Sequence, residues 1–153
     1  MRRSYTKLYL HIIWATWDRM DLIDPEIEPV LYNYIRNKCE ENRCWLETIG
    51  GTSNHLHILV RFTTSISIGK LVHQIKGASS HYIAQIYRPD DFFKWQGGYS
   101  AFTVSPFQVN SIITYIENQK QHHYAQTQRM DWEYLPPPSN RKYLFFPFSP
   151  PDD

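Results

Sequence analysis

The chain has 153 residues, of which 42% are hydrophobic and 20% are charged. This length and balance fit one domain with its own core and exclude intrinsic disorder by composition. The net charge is only +1, so no strong field over the whole molecule indicates a nucleic-acid partner. No apolar run approaches the roughly 20 residues that cross a bilayer. Cys39 and Cys44 lack companions at zinc-type spacing, and we interpret them as reduced structural residues of a cytoplasmic protein.

The first half of the chain predicts three strands and one helix. Asp24 and Pro25 mark the helix start, because Asp can accept backbone N–H bonds and Pro fits the first helical position. Gly50 and Gly51 predict a turn between the second and third strands. In chain order, the predicted elements are a strand at residues 8–17, a helix at 25–42, a strand at 45–49 and a strand at 55–62.

The second half predicts two helices, one strand and a tail. The last helix has a strong start signal, with Ser105 as N-cap, Pro106 at the first position and Gln108 closing a capping box. The predicted elements are a helix from Ser65 or Ser67 to 87, a strand at 99–104 and a helix at 106–125. Residues 131–153 are rich in proline and aromatic residues and predict an extended arm or a disordered tail after a domain of residues 1–130.

The predicted order is therefore β-α-β-β-α-β followed by an additional helix. This is the ferredoxin-like order, an α+β fold with an antiparallel sheet. Such a sheet carries its two helices on one face. We expect the opposite face to be open to a ligand or a partner.

Two histidines one residue apart, His55 and His57, lie in the predicted third strand. Because alternate side chains of a strand point to opposite faces, both imidazoles share one face, and the apolar residues between and after them share the other. Since the apolar residues should face the helices, the histidines should lie on the open face. Two neighbouring imidazoles are typical of half a metal site. The alternative is that they only cover the sheet surface.

The last predicted helix presents a polar edge. At about 100° per residue, its apolar residues form one buried stripe. Tyr115, Gln119 and His122 fall within about 60° of one another beside that stripe. The edge thus offers a phenol, an amide and an imidazole at successive turns. The same pattern is typical of a helix boundary where tyrosine meets water.

The histidine pair and the polar edge complement each other chemically. A metal held by two imidazoles needs further ligands, and an amide oxygen can supply one. A phenol with a pKa of about 10 is a poor nucleophile. A metal-bound phosphate is a suitable target for it, because the cation offsets the phosphate charge. The product would be a covalent phosphotyrosine that stores the bond energy of a DNA strand.

At this point the motifs resemble a known family. Over residues 5–124 the chain resembles the single-tyrosine HUH transposases of small bacterial insertion sequences, including their relatives associated with repeated extragenic palindromes. His-x-His alone is common, but its combination with Tyr-x-x-x-Gln after a fourth strand is specific. The matching segments are Leu10-His11-Ile12-Ile13-Trp14-Ala15-Thr16, His55-Leu56-His57, Ile75-Lys76-Gly77, Trp95-Gln96-Gly97-Gly98-Tyr99 with Val104-Ser105, and Tyr115-Ile116-Glu117-Asn118-Gln119 with His122-His123.

The resemblance implies a role for each matching residue. His55 and His57 would bind a divalent metal, Mg²⁺ or Mn²⁺, with Gln119 as the third protein ligand and Tyr115 as the nucleophile. The substrate would be single-stranded DNA beside a hairpin at an element end. Tyr115 would cleave it to a 5′-phosphotyrosine and a free 3′-hydroxyl, and another 3′-hydroxyl would reseal the strand. The family acts as a homodimer, in which the tyrosine helix of one subunit can complete the site of the other.

Two further residues are candidate accessory groups. Many members carry Asp before the first histidine, whereas this chain has Asn54, and the loss of a carboxylate would weaken or alter metal binding. For His122, proton transfer, a phosphate contact and a plain surface position are all open. Because imidazole ligands favour softer cations than magnesium, we favour manganese.

Four basic residues are candidates for contacts with DNA phosphates, namely Lys70, Lys76, Arg2 and Arg3. An ordinary solvated surface is the simpler interpretation of each. Two other functions are also open. A nickase for plasmid or phage replication would use the same catalytic residues, and a non-catalytic ferredoxin-like module would bind single strands by stacking alone.

Overall fold

A computed structural model of the chain describes residues 2–135. Its strands and helices are β1 Leu8–Ala15, α1 Ile27–Glu41, β2 Trp45–Gly51, β3 His55–Phe62, α2 Ile68–Tyr82, β4 Ser100–Val104, α3 Val109–Glu117, α4 Gln119–Ala125 and α5 Met130–Glu133. Short turns of 3₁₀ helix follow β1 at Trp17–Arg19 and precede α3 at Pro106–Gln108, and a π-helical turn at Ile83–Tyr87 extends α2. The order confirms the predicted β-α-β-β-α-β arrangement, and the single additional helix that was predicted after β4 corresponds to α3 and α4, with α5 following them.

The four strands form one antiparallel sheet in the order β2-β3-β1-β4. The strands β1 and β3 are central, and in their register Ile13 lies opposite His57 while His11 lies opposite Leu59. This pairing confirms the ferredoxin-like fold. It also places the histidine-bearing strand beside β1, whose own His11 points to the same face of the sheet.

The main hydrophobic core lies between the sheet and the helices α1 and α2. Residues at even positions of β1 and β3, such as Ile12 and Ile58, contact apolar residues of the two helices, such as Leu31 and Ile75, and all four are fully buried. The alternation predicted for β3 is therefore confirmed. At the helix starts, the Asp24 carboxylate accepts N–H bonds from residues 26 and 27, and Ser67 accepts from the backbone of residue 70.

The opposite face of the sheet is not open, contrary to expectation. The helix α3 lies across β2 and β3, and its Ile112 and Ile116 form a second buried cluster with Tyr9, Leu59 and Val104 of the sheet. The apolar stripe of α3 must be buried somewhere, and the apolar residues on this face of the sheet supply the contact. The histidine face is thus an interior surface between the sheet and the C-terminal helices.

Two predicted boundaries differ from those in the structure. Gly50 and Gly51 lie inside β2 rather than in a turn, and the turn follows at residues 52–54. A Cβ atom on Gly50 would lie 2.1 Å from the carbonyl oxygen of Ile116, so glycine here permits the close approach of α3. The predicted helix at 106–125 is interrupted at Asn118, whose side-chain amide donates to the Thr114 carbonyl, and this bond ends α3.

The segment predicted as a tail begins with a helix. The α5 helix covers Met130–Glu133, and the Tyr134 carbonyl accepts a hydrogen bond from Ser100 of β4. Residues 136–153, the rest of that segment, lie outside the described residues. The domain boundary at residue 130 therefore stays a prediction.

Cys39 and Cys44 are both buried with free thiols, the first near the end of α1 and the second just before β2. Within residues 2–135, no helix combines the length and the apolar character needed to cross a bilayer. The cytoplasmic location stays a prediction.

Candidate metal and nucleophile site

The two histidines of β3 direct their Nε2 atoms toward the same small region between the sheet and the C-terminal helices. His55 and His57 are 1% and 0% exposed, and their ring centroids lie 5.2 Å apart. Within residues 2–135, neither Nε2 atom makes a hydrogen bond of good geometry, and the polar atom nearest to both is Oε2 of Glu133, at 3.6 Å from His55 and 3.2 Å from His57. Buried imidazole nitrogens without partners are costly unless a ligand fills the space before them.

The Nδ1 atom of each histidine contacts a residue other than the two histidines of the pair. His55 Nδ1 lies 2.8 Å from Asn54 Oδ1 and 2.9 Å from Thr52 Oγ1. His57 Nδ1 lies 2.8 Å from His11 Nε2. Asn54 precedes the first residue of β3, so the alternation of side chains along the strand does not apply to it. Its side chain can therefore lie on the same side as that of His55. The Asn54 side chain thus contacts the outer nitrogen of His55 and not the Nε2 side of the pair, and its accessory role stays a prediction.

Tyr115 and Gln119 approach the histidines from the C-terminal helices. Both side chains are almost fully buried, at 4% and 1% exposure. The rings of Tyr115 and His57 have centroids 6.2 Å apart. One chain therefore brings the predicted nucleophile and the predicted third ligand to the histidine pair, although α3 ends between them at Asn118.

Glu133 of α5 lies at the centre of this group. Its Oε1 accepts hydrogen bonds from the Tyr115 hydroxyl and from Gln119 Nε2, the latter at 3.1 Å. Its Oε2 lies 3.6 Å from His55 Nε2 and 3.2 Å from His57 Nε2. A fifth side chain, His123, brings its Nε2 to 3.5 Å from the same oxygen. The sequence did not predict Glu133 or His123 as site residues.

The donor set fits a divalent cation. His55, His57 and Glu133 each offer one ligand atom, and these atoms all lie within 4.8 Å of one another. The Gln119 Oε1 atom is also buried without a hydrogen-bond partner among the described residues. Two imidazoles, a carboxylate and an amide oxygen form a mixed nitrogen and oxygen set, which suits manganese better than magnesium.

The surroundings set the protonation states of the site. Burial would raise the pKa of Glu133, but the contacts from His55 and His57 outweigh it and hold that pKa well below its ordinary value. Burial and the Glu133 carboxylate raise the pKa of Tyr115 above its ordinary range. Burial lowers the pKa of His57. At neutral pH the site therefore combines an ionised carboxylate with a neutral phenol and a neutral His57.

Two more contacts fix the Tyr115 ring. The Arg129 backbone N–H donates to the phenol oxygen at 3.0 Å. His122 stacks on the ring with centroids 4.6 Å apart, and its Nδ1 lies 2.9 Å from Thr127 Oγ1. His122 thus packs against the tyrosine, and its role in the site stays a prediction.

The predicted basic residues lie outside this cluster of contacts. Arg2, Arg3 and Lys70 are exposed. The Lys76 ammonium instead donates to the carbonyls of Gln96 and Gly98, at 2.6 and 2.7 Å. This amine holds a loop in place, and contacts of all four residues with DNA stay predictions.

A comparison with family profiles identifies the family of this chain. The profile described as "Transposase IS200 like" matches residues 4–119, which is more than half of the chain. The chain belongs to the IS200-like transposase family. Family membership makes it a DNA strand transferase, and the sequence-based resemblance is confirmed.

Two solved structures are similar to this transposase. One is a Deinococcus radiodurans R1 protein described as a candidate transposase, with 28% identity, a TM-score of 0.62, and coverage of 78% of this chain and 95% of that one. The other is a REP-associated tyrosine transposase bound to a REP hairpin, with 14% identity, a TM-score of 0.61, and coverage of 88% and 79%. At its identity, the second supports the fold only. The comparison with curated proteins finds no match.

Proposed function

We propose that the chain cuts and rejoins single-stranded DNA through a covalent bond between Tyr115 and a DNA 5′-phosphate. The observation that carries this proposal is that the Glu133 carboxylate contacts both Tyr115 and the histidine pair. Its Oε1 accepts from the Tyr115 hydroxyl, and its Oε2 lies 3.2 Å from His57 Nε2. A nucleophile and a cation site therefore meet at one centre.

The residues that would hold the cation are His55, His57 and Glu133, with Gln119 Oε1 as the amide ligand. When bound, a divalent cation offsets negative charge on the scissile phosphate and polarises its bonds. The donor set supports Mn²⁺ or Mg²⁺, and its imidazoles favour Mn²⁺.

The proposed cleavage is a transfer of one phosphodiester bond. The Tyr115 oxygen loses its proton and forms a bond to phosphorus, while the bond from phosphorus to the 3′-oxygen breaks. That oxygen takes up a proton and leaves as a 3′-hydroxyl. Attack by a second 3′-hydroxyl reverses these steps and reseals the strand without an external energy source.

The protein holds Tyr115 for this attack. The Arg129 N–H and the Glu133 carboxylate fix the phenol oxygen. The His122 ring stacked on the phenol ring and the edge-on Trp132 ring limit rotation of the side chain. A nucleophile held in one orientation contributes by reducing the entropy lost on the way to the transition state.

We further propose a hairpin-bearing single strand as the substrate. A structural neighbour with the same fold is described as bound to a REP hairpin. The homodimer stays a prediction. Because one chain supplies both Tyr115 and the histidines, the proposed reaction does not need the tyrosine helix of another subunit.

The test uses a 3′-end-labelled single strand with a hairpin from the repeats that flank the gene, incubated with the full chain and Mn²⁺. We expect a covalent protein–DNA adduct that survives denaturing electrophoresis. Tyr115→Phe should abolish the adduct, because it removes the attacking oxygen. The matched control is Tyr124→Phe, since Tyr124 is 93% exposed, and this variant should keep native yield.

An adduct formed by Tyr115→Phe would contradict the nucleophile assignment. Tight binding of the strand by the native chain without any adduct in Mn²⁺ or Mg²⁺ would favour the non-catalytic binding module. Cleavage limited to replication origins of plasmids or phages would favour the nickase.

A further inference from the structure

A third histidine is part of the same buried surface, and the proposed ligand set does not use it. His11 lies on β1, is 1% exposed, and pairs across the sheet with Leu59 on one side and Phe102 on the other. Both neighbours are apolar. Of its two ring nitrogens, Nδ1 is buried without a hydrogen-bond partner among residues 2–135. Among the described residues, the polar contact of the His11 ring is therefore the one that its Nε2 makes with His57.

That bond joins His11 to His57. The His11 Nε2 and His57 Nδ1 atoms are 2.8 Å apart, and the two ring planes differ by 27°. The ring centroids are 5.1 Å apart, so the rings meet nitrogen to nitrogen. Because the lone pair of an imidazole nitrogen lies in the ring plane, this arrangement suits an N–H···N bond. The bond fixes the rotation of the His57 ring, which directs its opposite nitrogen, Nε2, toward Glu133.

A neutral imidazole carries one N–H and one lone pair, so this bond has two arrangements. In the first, His57 Nδ1–H donates to His11, and His57 Nε2 keeps a lone pair. In the second, His11 donates, and His57 Nε2 carries a hydrogen that blocks a cation. Only the first arrangement lets His57 act as a ligand.

The neighbouring histidine shows a parallel arrangement. The outer nitrogen of His55 lies 2.8 Å from the amide oxygen of Asn54, to which it can donate. Ligating histidines generally donate their second N–H to an acceptor, which fixes both the tautomer and the ring orientation. For His57, His11 is the acceptor in reach.

We propose that His11 is a positioning residue that accepts the Nδ1–H of His57 and so presents the His57 Nε2 lone pair to a divalent cation. This inference rests on the proposed cation site. An apolar side chain would fill the space between Leu59 and Phe102 without leaving a nitrogen unpaired, so the bond to His57 is what the imidazole adds.

The first test measures cation affinity, not activity, with Mn²⁺ alone and electron paramagnetic resonance of the free ion. His11→Phe removes the acceptor while keeping an aromatic ring, and we expect a loss of about 10- to 100-fold in affinity. His11→Gln restores an acceptor oxygen and should retain more affinity than His11→Phe. The matched control is His73→Phe on the exposed histidine of α2, which should bind as the native chain does.

The second test reads the tautomer of His57 in the native chain from ¹⁵N shifts of the imidazoles, with diamagnetic Zn²⁺ as the probe. We expect a protonated Nδ1 and a metal-bound Nε2. A Zn²⁺-bound chain in which His57 keeps its hydrogen on Nε2 would overturn the proposal, even if His11→Phe failed to fold.

The two proposals fail in different ways. A folded His11→Phe chain with native Mn²⁺ affinity would overturn the role of His11 and leave the cation site standing. A native chain that binds neither Mn²⁺ nor Zn²⁺ at this site would overturn both.

Discussion

Lys76 shows how a single side chain can take a role that differs from its sequence-based interpretation. It was a candidate for phosphate contacts, yet its ammonium donates to the carbonyls of Gln96 and Gly98. Gly98 has a φ of 87°, a conformation that glycine adopts at low cost. The lysine thus holds the loop that leads into β4, the edge strand beside β1.

Burial lowers the pKa of Lys76 from 10.5 to about 8 in the folded chain. Because the unfolded chain binds this proton up to a higher pH, the unfolding free energy should rise between about pH 8 and pH 10.5. Lys76→Met should remove that part of the slope and lower the stability through the lost loop bonds. Chemical denaturation at several pH values measures both effects.

Lys70→Met provides the comparison, since Lys70 is exposed on the same helix. It should leave both the slope and the midpoint close to native. An unchanged pH slope in Lys76→Met would contradict the buried-amine interpretation.

At the scale of elements, the site depends on how closely α3 approaches the sheet. Tyr115 belongs to α3, whereas the histidines belong to β3, so the distance between helix and sheet sets the distance between nucleophile and ligands. Gly50 of β2 lies directly under the Ile116 carbonyl. A Cβ atom at residue 50 would collide with this backbone oxygen. Because the oxygen belongs to the backbone, no side-chain rotation can relieve the clash.

Gly50→Ala should therefore destabilise the chain by about 1–3 kcal/mol and reduce the yield of the covalent adduct more than the loss of stability explains. Thermal denaturation and the adduct assay at a temperature well below the transition measure the two effects.

The matched control is Gly77→Ala in α2, where an added Cβ meets nothing within 4 Å. Alanine should stabilise that helix by roughly 0.5–1 kcal/mol and leave the adduct yield unchanged. Equal effects of the two substitutions would contradict the packing argument.

At the scale of the whole molecule, the candidate ligands come from distant parts of the chain. His57 lies in the central strand β3, and Glu133 lies in α5, 76 residues further along the sequence. A cation bound by both joins the last helix to the sheet. Because the unfolded chain does not hold these ligands together, binding should stabilise the folded state.

Addition of Mn²⁺ at about 100 times its dissociation constant should stabilise the chain by about 2.7 kcal/mol, seen as a rise in the melting temperature that EDTA removes. Glu133→Gln should show a smaller rise, because a carboxylate ligand is lost. Glu117→Gln, on an exposed carboxylate at the end of α3, should respond as the native chain does. An equal rise in both variants would exclude Glu133 as a ligand.

Local sequence patterns predicted most of the fold and brought out four of the candidate site residues. Strand alternation placed His55 and His57 on one face, since the period of two is a property of the extended backbone. Helical spacing put Tyr115 beside Gln119. Start signals such as Asp24 and Ser67 act within a few residues, so they were visible without the tertiary structure.

The groups that lie against the histidines became visible in the folded chain alone. Three features depend on contacts between residues far apart in sequence: the packing of α3 over the histidine face of the sheet, the place of Gly50 and Gly51 inside β2, and the central position of Glu133. The linker between α4 and α5 has no periodicity that would relate Glu133 to Tyr115, and β1 gives no local sign that His11 meets His57. Long-range packing brings these groups together, and a local sequence pattern does not encode it.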